Sequence, residues 1–237
     1  VGKTTVARVL AKALNCKNLQ DYNPCNTCSH CEEITDGRNM DVLELDGASN
    51  RGIDEIRELR ESVKYPPNSG KYRVYIIDEV HMLTKEAFNA LLKTLEEPPP
   101  HVVFILATTD PHKVPQTILS RTQRFDFRRL SIELISNHLI KILKLEKINF
   151  ENDVTKLIAK KADGSMRDSL SLLDQVIAYS GDKLEVEPVR SSLGIIHDSL
   201  YVNLFSGIAT KNVSRIIVEL DGLFNAGHSI NDFISGF

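Results

Sequence analysis

Residues 72–79 read YRVYIIDE, and this stretch decides the fold class. A short apolar run rich in β-branched residues, here 72–77, predicts a strand buried on both faces, as in a parallel sheet. Comparable strands are predicted at 40–46 and 102–107, and helices are predicted between the strands at 53–63 and 85–96. Because strand and helix alternate, the sequence predicts an α/β domain with a parallel sheet covered by helices.

Two short motifs indicate a binding site at this sheet. The chain begins with the last part of the phosphate-loop pattern G-x-x-x-x-G-K-S/T, at Gly2, Lys3, Thr4 and Thr5. In such a loop the lysine binds the β- and γ-phosphates and the next hydroxyl binds Mg²⁺. Asp78 and Glu79 offer one carboxylate for the metal and a second that orients or deprotonates water. Alone, the second motif also fits a buried strand with a solvated acidic end, but together the two motifs predict ATP binding.

The phosphate-loop pattern lacks its first glycine and the strand that should precede it. We therefore expect a fragment that begins inside the loop and ends inside a helical domain. A fragment with half of the phosphate cradle is expected to bind ATP weakly and to be poorly active by itself.

All four cysteines lie in one window, at Cys16, Cys25, Cys28 and Cys31. The spacing C-x8-C-x2-C-x2-C predicts a four-thiolate site for structural Zn²⁺. An iron–sulfur cluster is the alternative, because C-x2-C-x2-C also suits one. Disulfides fit a secreted protein rather than an ATPase in a reducing compartment. With four thiols present, His30 is expected to be a surface residue.

The character of the sequence changes after about residue 130. Helical periodicity is predicted for 131–148, 153–162, 165–179 and 185–193, with no further buried strand. Another helical stretch follows, with segments at 201–208, 213–224 and 230–237. The prediction is an ATPase core at 1–130 with the cysteine module at 16–31, a small helical domain at 131–194 and the beginning of a third helical domain at 195–237.

One arginine has an unusual position. Ser165 and Asp168 form a predicted capping box, in which Ser165 caps the helix and Asp168 reaches back to it. Arg167 then lies in the first turn, where the helix dipole disfavours a cation. An anion bound at that helix end explains the position of Arg167 better than contact with solvent alone does.

Two other features have ordinary structural explanations. Arg121 ends a short helix within 114–121, where a basic residue complements the dipole, so its spacing alone does not make it catalytic. Thr108 and Thr109 follow strand 102–107, at the edge where ligands bind in parallel sheets, but threonines are common at strand ends.

The charge distribution is uneven, although the formal net charge is only -3. Residues 112–147 hold eight Lys or Arg against three Asp or Glu, and residues 41–61 hold seven acidic against three basic residues. A basic stretch is usually a solvated face, and it also suits contact with phosphates or a neighbouring subunit. No apolar run approaches the roughly 20 residues of a membrane span and no signal segment is present, so a soluble, cytoplasmic protein is expected.

Several motifs together resemble those of one family. They are the residues 2–5, the cysteine spacing, DEVHML at 78–83, NALLKTLEEPP at 89–99, ATTDP at 107–111 and ILSR at 118–121. The set is similar to the bacterial clamp-loader ATPases of DNA polymerase III, the gamma/tau subunits, from residue 1 to at least 175. The family's Ser-Arg-Cys motif reads Ser120-Arg121-Thr122 here, and the intact Gly-Lys-Thr-Thr at 2–5 separates the chain from the non-hydrolysing delta and delta-prime subunits.

The resemblance implies an AAA+ ATPase core with a zinc module, a helical lid at 131–194 and the start of a helical collar at 195–237. It implies that ATP and Mg²⁺ bind at the Walker A residues 2–5 and at the Walker B pair Asp78 and Glu79. Glu79 would polarise the attacking water, and the four cysteines would hold Zn²⁺.

The resemblance also implies roles for residues outside these motifs. Thr109, or else Thr108, would be sensor 1. Arg167 would be sensor 2 and contact the γ-phosphate of its own subunit. Arg121 would be the arginine finger that reaches into the site of the neighbouring subunit.

The family's activity implies partners. In this family ATP binding lets a ring of five subunits open the sliding clamp and grip primed DNA, and hydrolysis releases the closed clamp. The implied partners are the delta and delta-prime subunits, further gamma/tau copies, the clamp and primed DNA, with no membrane. The resemblance implies a subunit of a DNA-directed DNA polymerase holoenzyme, a nucleotidyltransferase assembly, without a polymerase site of its own.

Two other functions fit parts of the sequence. Residues 78–81 match the D-E-x-H box of helicases, which need a second α/β lobe, so strand-rich structure after residue 130 would favour a helicase. A chain with an incomplete phosphate loop also fits a non-hydrolysing scaffold, in which the nucleotide only fixes the shape of an assembly.

Overall fold

The computed structural model describes residues 2–181, 183–225, 230, 233 and 234. The chain divides into two compact units, Gly2–Phe127 and a unit that runs from Arg128 onward. The described part of the first unit contains α1 (Lys3–Asn15), α2 (Ser29–Thr35), β1 (Val42–Asp46), α3 (Ile53–Ser62), β2 (Arg73–Asp78), α4 (Lys85–Glu96), β3 (Val102–Leu106) and α5 (Gln116–Leu119). Short 3-10 turns at Val80–Met82 and Pro111–Lys113 follow β2 and β3.

The sheet of the first unit is parallel and has the strand order β1-β2-β3. Val74 of β2 pairs with Val42 of β1 and with Val103 of β3, which makes β2 the central strand. Residues 74–77 are at most 1% exposed, as expected for a strand with helices on both faces. The predicted parallel α/β fold and the buried strand at its centre are confirmed.

The side chains of β2 alternate between two apolar layers. Tyr75 and Ile77 belong to the layer that also contains α3 and α4. Val74 and Ile76 pack on the other face against α1, where the small side chain of Ala11 is fully buried. The sheet is thus covered on both faces, and α1 is held against the strand that ends in the two carboxylates.

A buried carboxylate fixes the loop that precedes β2. The side chain of Asp41 accepts backbone N–H bonds from Asn68 (2.6 Å), Ser69 (2.8 Å) and Gly70 (2.7 Å). Burial opposes ionisation of Asp41, but the three N–H donors and the charge of Arg73 outweigh it and hold the pKa of this carboxyl below its usual value. The charged carboxylate therefore stabilises the folded loop.

The second unit is mainly helical. Its described elements are α6 (Ile132–Leu145), β4 (Asn149–Phe150), α7 (Asn152–Lys161), α8 (Met166–Ser180), β5 (Lys183–Leu184), α9 (Val186–Ser192), α10 (Asp198–Ala209) and α11 (Val213–Asn225). Ile135 and Leu139 of α6, Ile158 of α7 and Leu173 of α8 are at most 1% exposed and form one apolar core. The predicted helices of this region are confirmed within a few residues at each end.

The expectation of no further buried strand after residue 130 is wrong in detail. β4 and β5 form a parallel pair of two residues each, and Leu184 of β5 is fully buried. The backbone N–H of Glu151 extends the pair by donating to the carbonyl of Leu184 (3.0 Å). A two-residue strand is too short to show a period in the sequence, which is why it was not predicted.

The capping box at the start of α8 forms only in part. The side chain of Ser165 accepts the backbone N–H of Asp168 at 3.3 Å, as predicted. The predicted reciprocal bond, from the backbone N–H of Ser165 to the side chain of Asp168, does not form. This N–H donates instead to the carbonyl of Ala162 at 2.9 Å. Asp168 therefore stabilises the helix by its charge in the first turn rather than by a bond to the cap.

The last described helices, α10 and α11, pack against each other, and Asn203 donates a side-chain hydrogen bond to Glu219 (2.9 Å). The predicted helix at 230–237, and with it part of the predicted third domain at 195–237, lies largely outside the described residues. Among the described residues no helix combines the length and the apolar character needed to cross a membrane.

The Asp41 contacts generate a stability prediction. We expect Asp41→Asn to lower the free energy of unfolding by about 1–3 kcal/mol at pH 7, because the amide leaves backbone N–H groups without an ionised acceptor. The pKa of Asp41 is depressed by folding, so this stabilisation is complete above the ordinary Asp pKa of about 3.9 and is lost as the pH falls through the lower folded value.

Urea unfolding at several pH values measures this effect. Asp54→Asn is the matched control, since this carboxylate is exposed on α3, and it should change the free energy of unfolding by no more than about 0.5 kcal/mol. Equal losses for the two variants, or a loss for Asp41→Asn that does not shrink in acid, would contradict the role given to Asp41.

Candidate nucleotide site and metal site

The N-terminus of α1 is open to a ligand. Gly2 precedes the helix with φ 84°, a left-handed conformation that glycine adopts without strain, and no side chain caps the helix there. The first N–H groups of a helix lack partners inside the helix and carry partial positive charge. With the Lys3 ammonium in the same first turn and Thr5 exposed beside it, this helix end can bind an anion such as a phosphate.

The start of α1 meets the end of β2. The Thr4 hydroxyl donates to Oδ2 of Asp78 at 2.7 Å, and the other carboxylate oxygen of Asp78 accepts the backbone N–H of Glu79 at 2.9 Å. A hydroxyl and a carboxylate side by side are hard oxygen ligands, and Mg²⁺ commonly binds through one or two protein oxygens together with phosphates. The residues present therefore fit Mg²⁺.

The turn after β2 is held in a strained conformation. Glu79 has φ 44° and ψ 45°, in the left-handed region that side-chain-bearing residues rarely adopt. Gly47 donates its backbone N–H to the carbonyl of Asp78 at 2.7 Å, and a Cβ at Gly47 would lie 2.7 Å from the carbonyl oxygen of Glu79. Gly47 thus allows the close approach that shapes this turn.

Glu79 is the centre of a group of contacting polar side chains. Its Oε2 accepts the hydroxyl of Thr109 at 2.8 Å and the backbone N–H of the same residue at 3.1 Å. The Lys3 ammonium lies 3.9 Å from Oε1, and Nδ1 of His81 lies 3.2 Å from Oε2. Thr108 contacts His81 and not Glu79. Lys3, Glu79 and Thr109 are therefore together, and His81 is a neighbour that the sequence analysis did not single out.

Arg121 lies beyond the end of α5 and makes other contacts. Its guanidinium donates to Oε1 of Glu96 (2.7 Å), to the carbonyl of Thr117 (2.8 Å) and to the hydroxyl of Ser120 (3.2 Å). In the described residues it has no hydrogen bond or ion pair with the Glu79 group. Its side chain is 34% exposed, so it remains accessible on the surface of the first unit.

Arg167 belongs to the second unit. It lies in the first turn of α8, as predicted, and its side chain is exposed. Within the described ranges its guanidinium makes no hydrogen bond or ion pair, which leaves its charge uncompensated at a helix end that favours anions.

The four cysteines come together as one cluster. The sulfur atoms of Cys16, Cys25, Cys28 and Cys31 all lie within 4.8 Å of one another. Sulfurs bound to one zinc ion at about 2.3 Å in a tetrahedron are about 3.8 Å apart, and the sulfurs of Cys16 and Cys25 are separated by 3.5 Å. The donor set fits a single Zn²⁺ ion.

The thiols of the cluster differ in acidity. Hydrogen bonds from the backbone and side chain of Thr27 lower the pKa of Cys25 to about 6. Burial opposes ionisation of Cys28, but backbone N–H groups of Lys17 and Cys31 lower its pKa overall. Burial raises the pKa of Cys31 to about 12. A bound cation would draw the proton from this last thiol, because a coordinated sulfur is deprotonated.

His30 is not the surface residue that was expected. It is 5% exposed on α2, a helix that the sequence analysis did not predict, and its Nδ1 lies 2.7 Å from the carbonyl oxygen of Asn15. Because a carbonyl only accepts, Nδ1 must carry the proton. The side chain of Asn15 also bonds the backbone of Lys71 and Tyr72 before β2. His30 and Asn15 thus attach the cysteine module to the sheet.

The cluster geometry predicts metal content. We expect the full-length protein to hold about one zinc per chain and Cys28→Ser to lose it, since a site with three thiolates binds the ion more weakly. Elemental analysis after gel filtration measures the metal. Ser29→Ala, at the next position and without a thiol, should keep it.

Two results would count against single-ion zinc binding. Bound iron with absorption in the visible range would establish the iron–sulfur alternative. The proposed metal site would be wrong if the purified wild-type protein held no metal and all four of its thiols reacted freely.

Two family models match parts of the chain. Residues 1–131 match the family model described as "DNA polymerase III, delta subunit", and residues 134–182 match the one described as "DNA polymerase III clamp loader subunit, ATPase lid domain". The solved structure of RuvB, a Holliday junction branch migration motor from Thermotoga maritima, superposes with a TM-score of 0.58 over 91% of this chain and 66% of that chain. At 16% identity this likeness shows the fold alone.

Curated relatives are tau and gamma subunits. DNA polymerase III subunit tau of Bacillus subtilis is 50% identical over 95% of this chain, which spans 40% of that protein. Subunit tau of Escherichia coli is 46% identical over 93% of the chain, which spans 34% of it. Subunit gamma of Buchnera aphidicola from Acyrthosiphon pisum is 42% identical over 96% of the chain, which spans 63% of it. The chain therefore belongs to the gamma/tau subunits of the bacterial DNA polymerase III clamp loader.

Proposed function

We propose that the protein is an ATPase motor subunit of the replicative clamp loader. ATP binding and hydrolysis by this subunit would drive the opening of the sliding clamp and its loading onto primed DNA. The observation that carries the proposal is the meeting of Lys3 and Thr4 on α1 with Asp78 and Glu79 after β2. The chain spans only part of its tau and gamma relatives, and the activity is proposed for the whole protein.

Different side chains of the site are proposed to contact the phosphates, the metal ion and the attacking water. Residues 2–5 receive the phosphates, with the Lys3 ammonium on the β- and γ-phosphates. Thr4 and Asp78 hold Mg²⁺, which supplies neutralisation of the charge on the phosphate oxygens when it is bound. Glu79 accepts a hydrogen bond from the attacking water and orients it toward the γ-phosphate.

Three further residues are proposed to sense the nucleotide. Thr109 is assigned as sensor 1 in preference to Thr108, because the Thr109 hydroxyl reaches the same carboxylate that orients water. Arg167 is assigned as sensor 2, supported by its unpaired charge at the start of α8 in the described structure. Arg121 is assigned as the arginine finger for the site of a neighbouring subunit, supported by its exposure outside the Glu79 group.

The remaining regions have assembly roles in this proposal. Residues 131–194 form the lid, and residues 195–237 begin the collar through which copies of the chain, delta and delta-prime form a five-membered ring. Apolar side chains exposed on α10 and α11, such as Val202 and Val218, support a contact with other subunits. The cysteine cluster holds a structural Zn²⁺, and the protein works in the cytoplasm beside the polymerase without transferring nucleotides itself.

A helicase is the weaker candidate. It would need a second α/β lobe after residue 130, whereas the described residues there contain two strands of two residues each. A non-hydrolysing scaffold predicts that nucleotide binds without turnover, and the following experiment separates it from a motor.

Two substitutions test the motor directly in the full-length protein assembled with its partners. We expect Glu79→Gln to reduce ATP turnover, stimulated by clamp and primed DNA, by about 100-fold or more while ATP still binds, because only the water-orienting group is lost. We expect Lys3→Ala to weaken ATP binding as well, because the phosphates lose a cation.

Release of inorganic phosphate and binding of labelled ATP are the measurements. Glu86→Gln, an exposed glutamate on α4, is the matched control and should turn over ATP like the wild type. Normal turnover in Glu79→Gln or Lys3→Ala would refute the proposed site, and a wild type that binds ATP without hydrolysing it would establish the scaffold.

A further inference from the structure

His81 contacts the proposed water-orienting carboxylate from a fixed position. It lies in the 3-10 turn Val80–Met82, directly after Glu79, and its side chain is 10% exposed. Its Nδ1 lies 3.2 Å from Oε2 of Glu79 and 3.0 Å from the hydroxyl oxygen of Thr108. The imidazole thus stands between the end of β2 and the end of β3.

The contacts determine which ring nitrogen carries a proton. An ionised carboxylate offers only acceptors, so a nitrogen 3.2 Å from Oε2 of Glu79 is favourable only when it is a donor. The Thr108 oxygen also accepts the backbone N–H of Asp110 at 3.0 Å, which fixes this hydroxyl beside the ring. Nδ1 of His81 is therefore assigned as the protonated nitrogen, which hydrogen-bonds the Thr108 hydroxyl and lies in close electrostatic contact with Oε2 of Glu79. Both the neutral tautomer and the imidazolium carry this proton.

Three side chains contact Glu79 in the described structure, and they differ in the other groups that they are proposed to contact. Lys3 is proposed above to bind the phosphates and Thr109 to sense the nucleotide, so a nucleotide would compete with Glu79 for both side chains. His81 faces Thr108 instead and has no proposed phosphate contact. It can keep its contact with Glu79 while the other two turn to the nucleotide.

We propose that His81 is a positioning residue for Glu79. Its Nδ1–H holds the carboxylate in the orientation that aims it at the attacking water, after Lys3 and Thr109 have engaged the phosphate. The backbone of Glu79 is already fixed by its left-handed conformation against Gly47. The side chain still has free torsions, and His81 restricts them. The inference rests on the proposed function and deepens it, because it acts only through Glu79.

Three substitutions in the full-length protein, assembled with its partners, test the role. The side-chain amide of asparagine can place an N–H near the position of Nδ1, whereas that of glutamine reaches nearer the position of Nε2. We expect His81→Ala and His81→Gln to lower kcat by about 10-fold to 100-fold, since a displacement of about 1 Å of a catalytic group has effects of that size. The ATP affinity of these two variants should stay within about two-fold of the wild-type value. His81→Asn should keep most of the wild-type kcat.

The controls separate positioning from packing and from failure of the site itself. His112→Gln changes an exposed histidine and should match the wild type in kcat and ATP affinity. If His81→Ala turns over like the wild type, or if His81→Asn is as slow as His81→Gln and both melt at lower temperature, the positioning role is wrong. If Glu79→Gln keeps its turnover, the proposed function fails, irrespective of His81.

Discussion

The hydrogen bond from the Thr4 hydroxyl to the Asp78 carboxylate, 2.7 Å long, is the contact on which the nucleotide site depends. It joins the N-terminus of α1 to the carboxyl end of β2, between residues 74 positions apart. The buried layer beneath it holds the two elements together, because Val74 and Ile76 pack against α1. At the junction the positive end of a helix dipole faces two carboxylates, an arrangement suited to a metal ion with phosphates.

The parts of this structure that the sequence predicted have local signals. The apolar run 72–77, the loop residues Lys3 and Thr4 and the cysteine spacing are each visible within a few positions, and the gamma/tau resemblance placed them in one family. The missed parts are contacts between distant segments. Gly47 lies against the carbonyl of Glu79, and no local pattern marks that approach. His30 is buried because an unpredicted helix turns it toward Asn15, since tertiary packing rather than sequence period decides its exposure.

Helix α1 connects the two candidate sites of the first unit. Its N-terminus carries Lys3 and Thr4, and its last residue, Asn15, precedes Cys16 of the cluster. Thirteen residues of helix span about 20 Å at 1.5 Å per residue, so the sites are separate but lie on one rigid element. Asn15 bonds both His30 in the cysteine module and the backbone before β2. The module therefore supports the far end of the helix whose near end meets Asp78.

The central claim is that Thr4 and Asp78 hold one metal ion for the nucleotide. The most direct test is calorimetry of ATP binding to the full-length protein, with and without Mg²⁺, for Thr4→Val, Asp78→Asn and the double variant. Each single variant should weaken Mg²⁺-dependent binding by about 10-fold, equivalent to about 1.4 kcal/mol. The double variant should be little weaker than either, because two ligands of one ion are coupled. Losses that add in the double variant, or that are equal without Mg²⁺, would contradict the shared metal site.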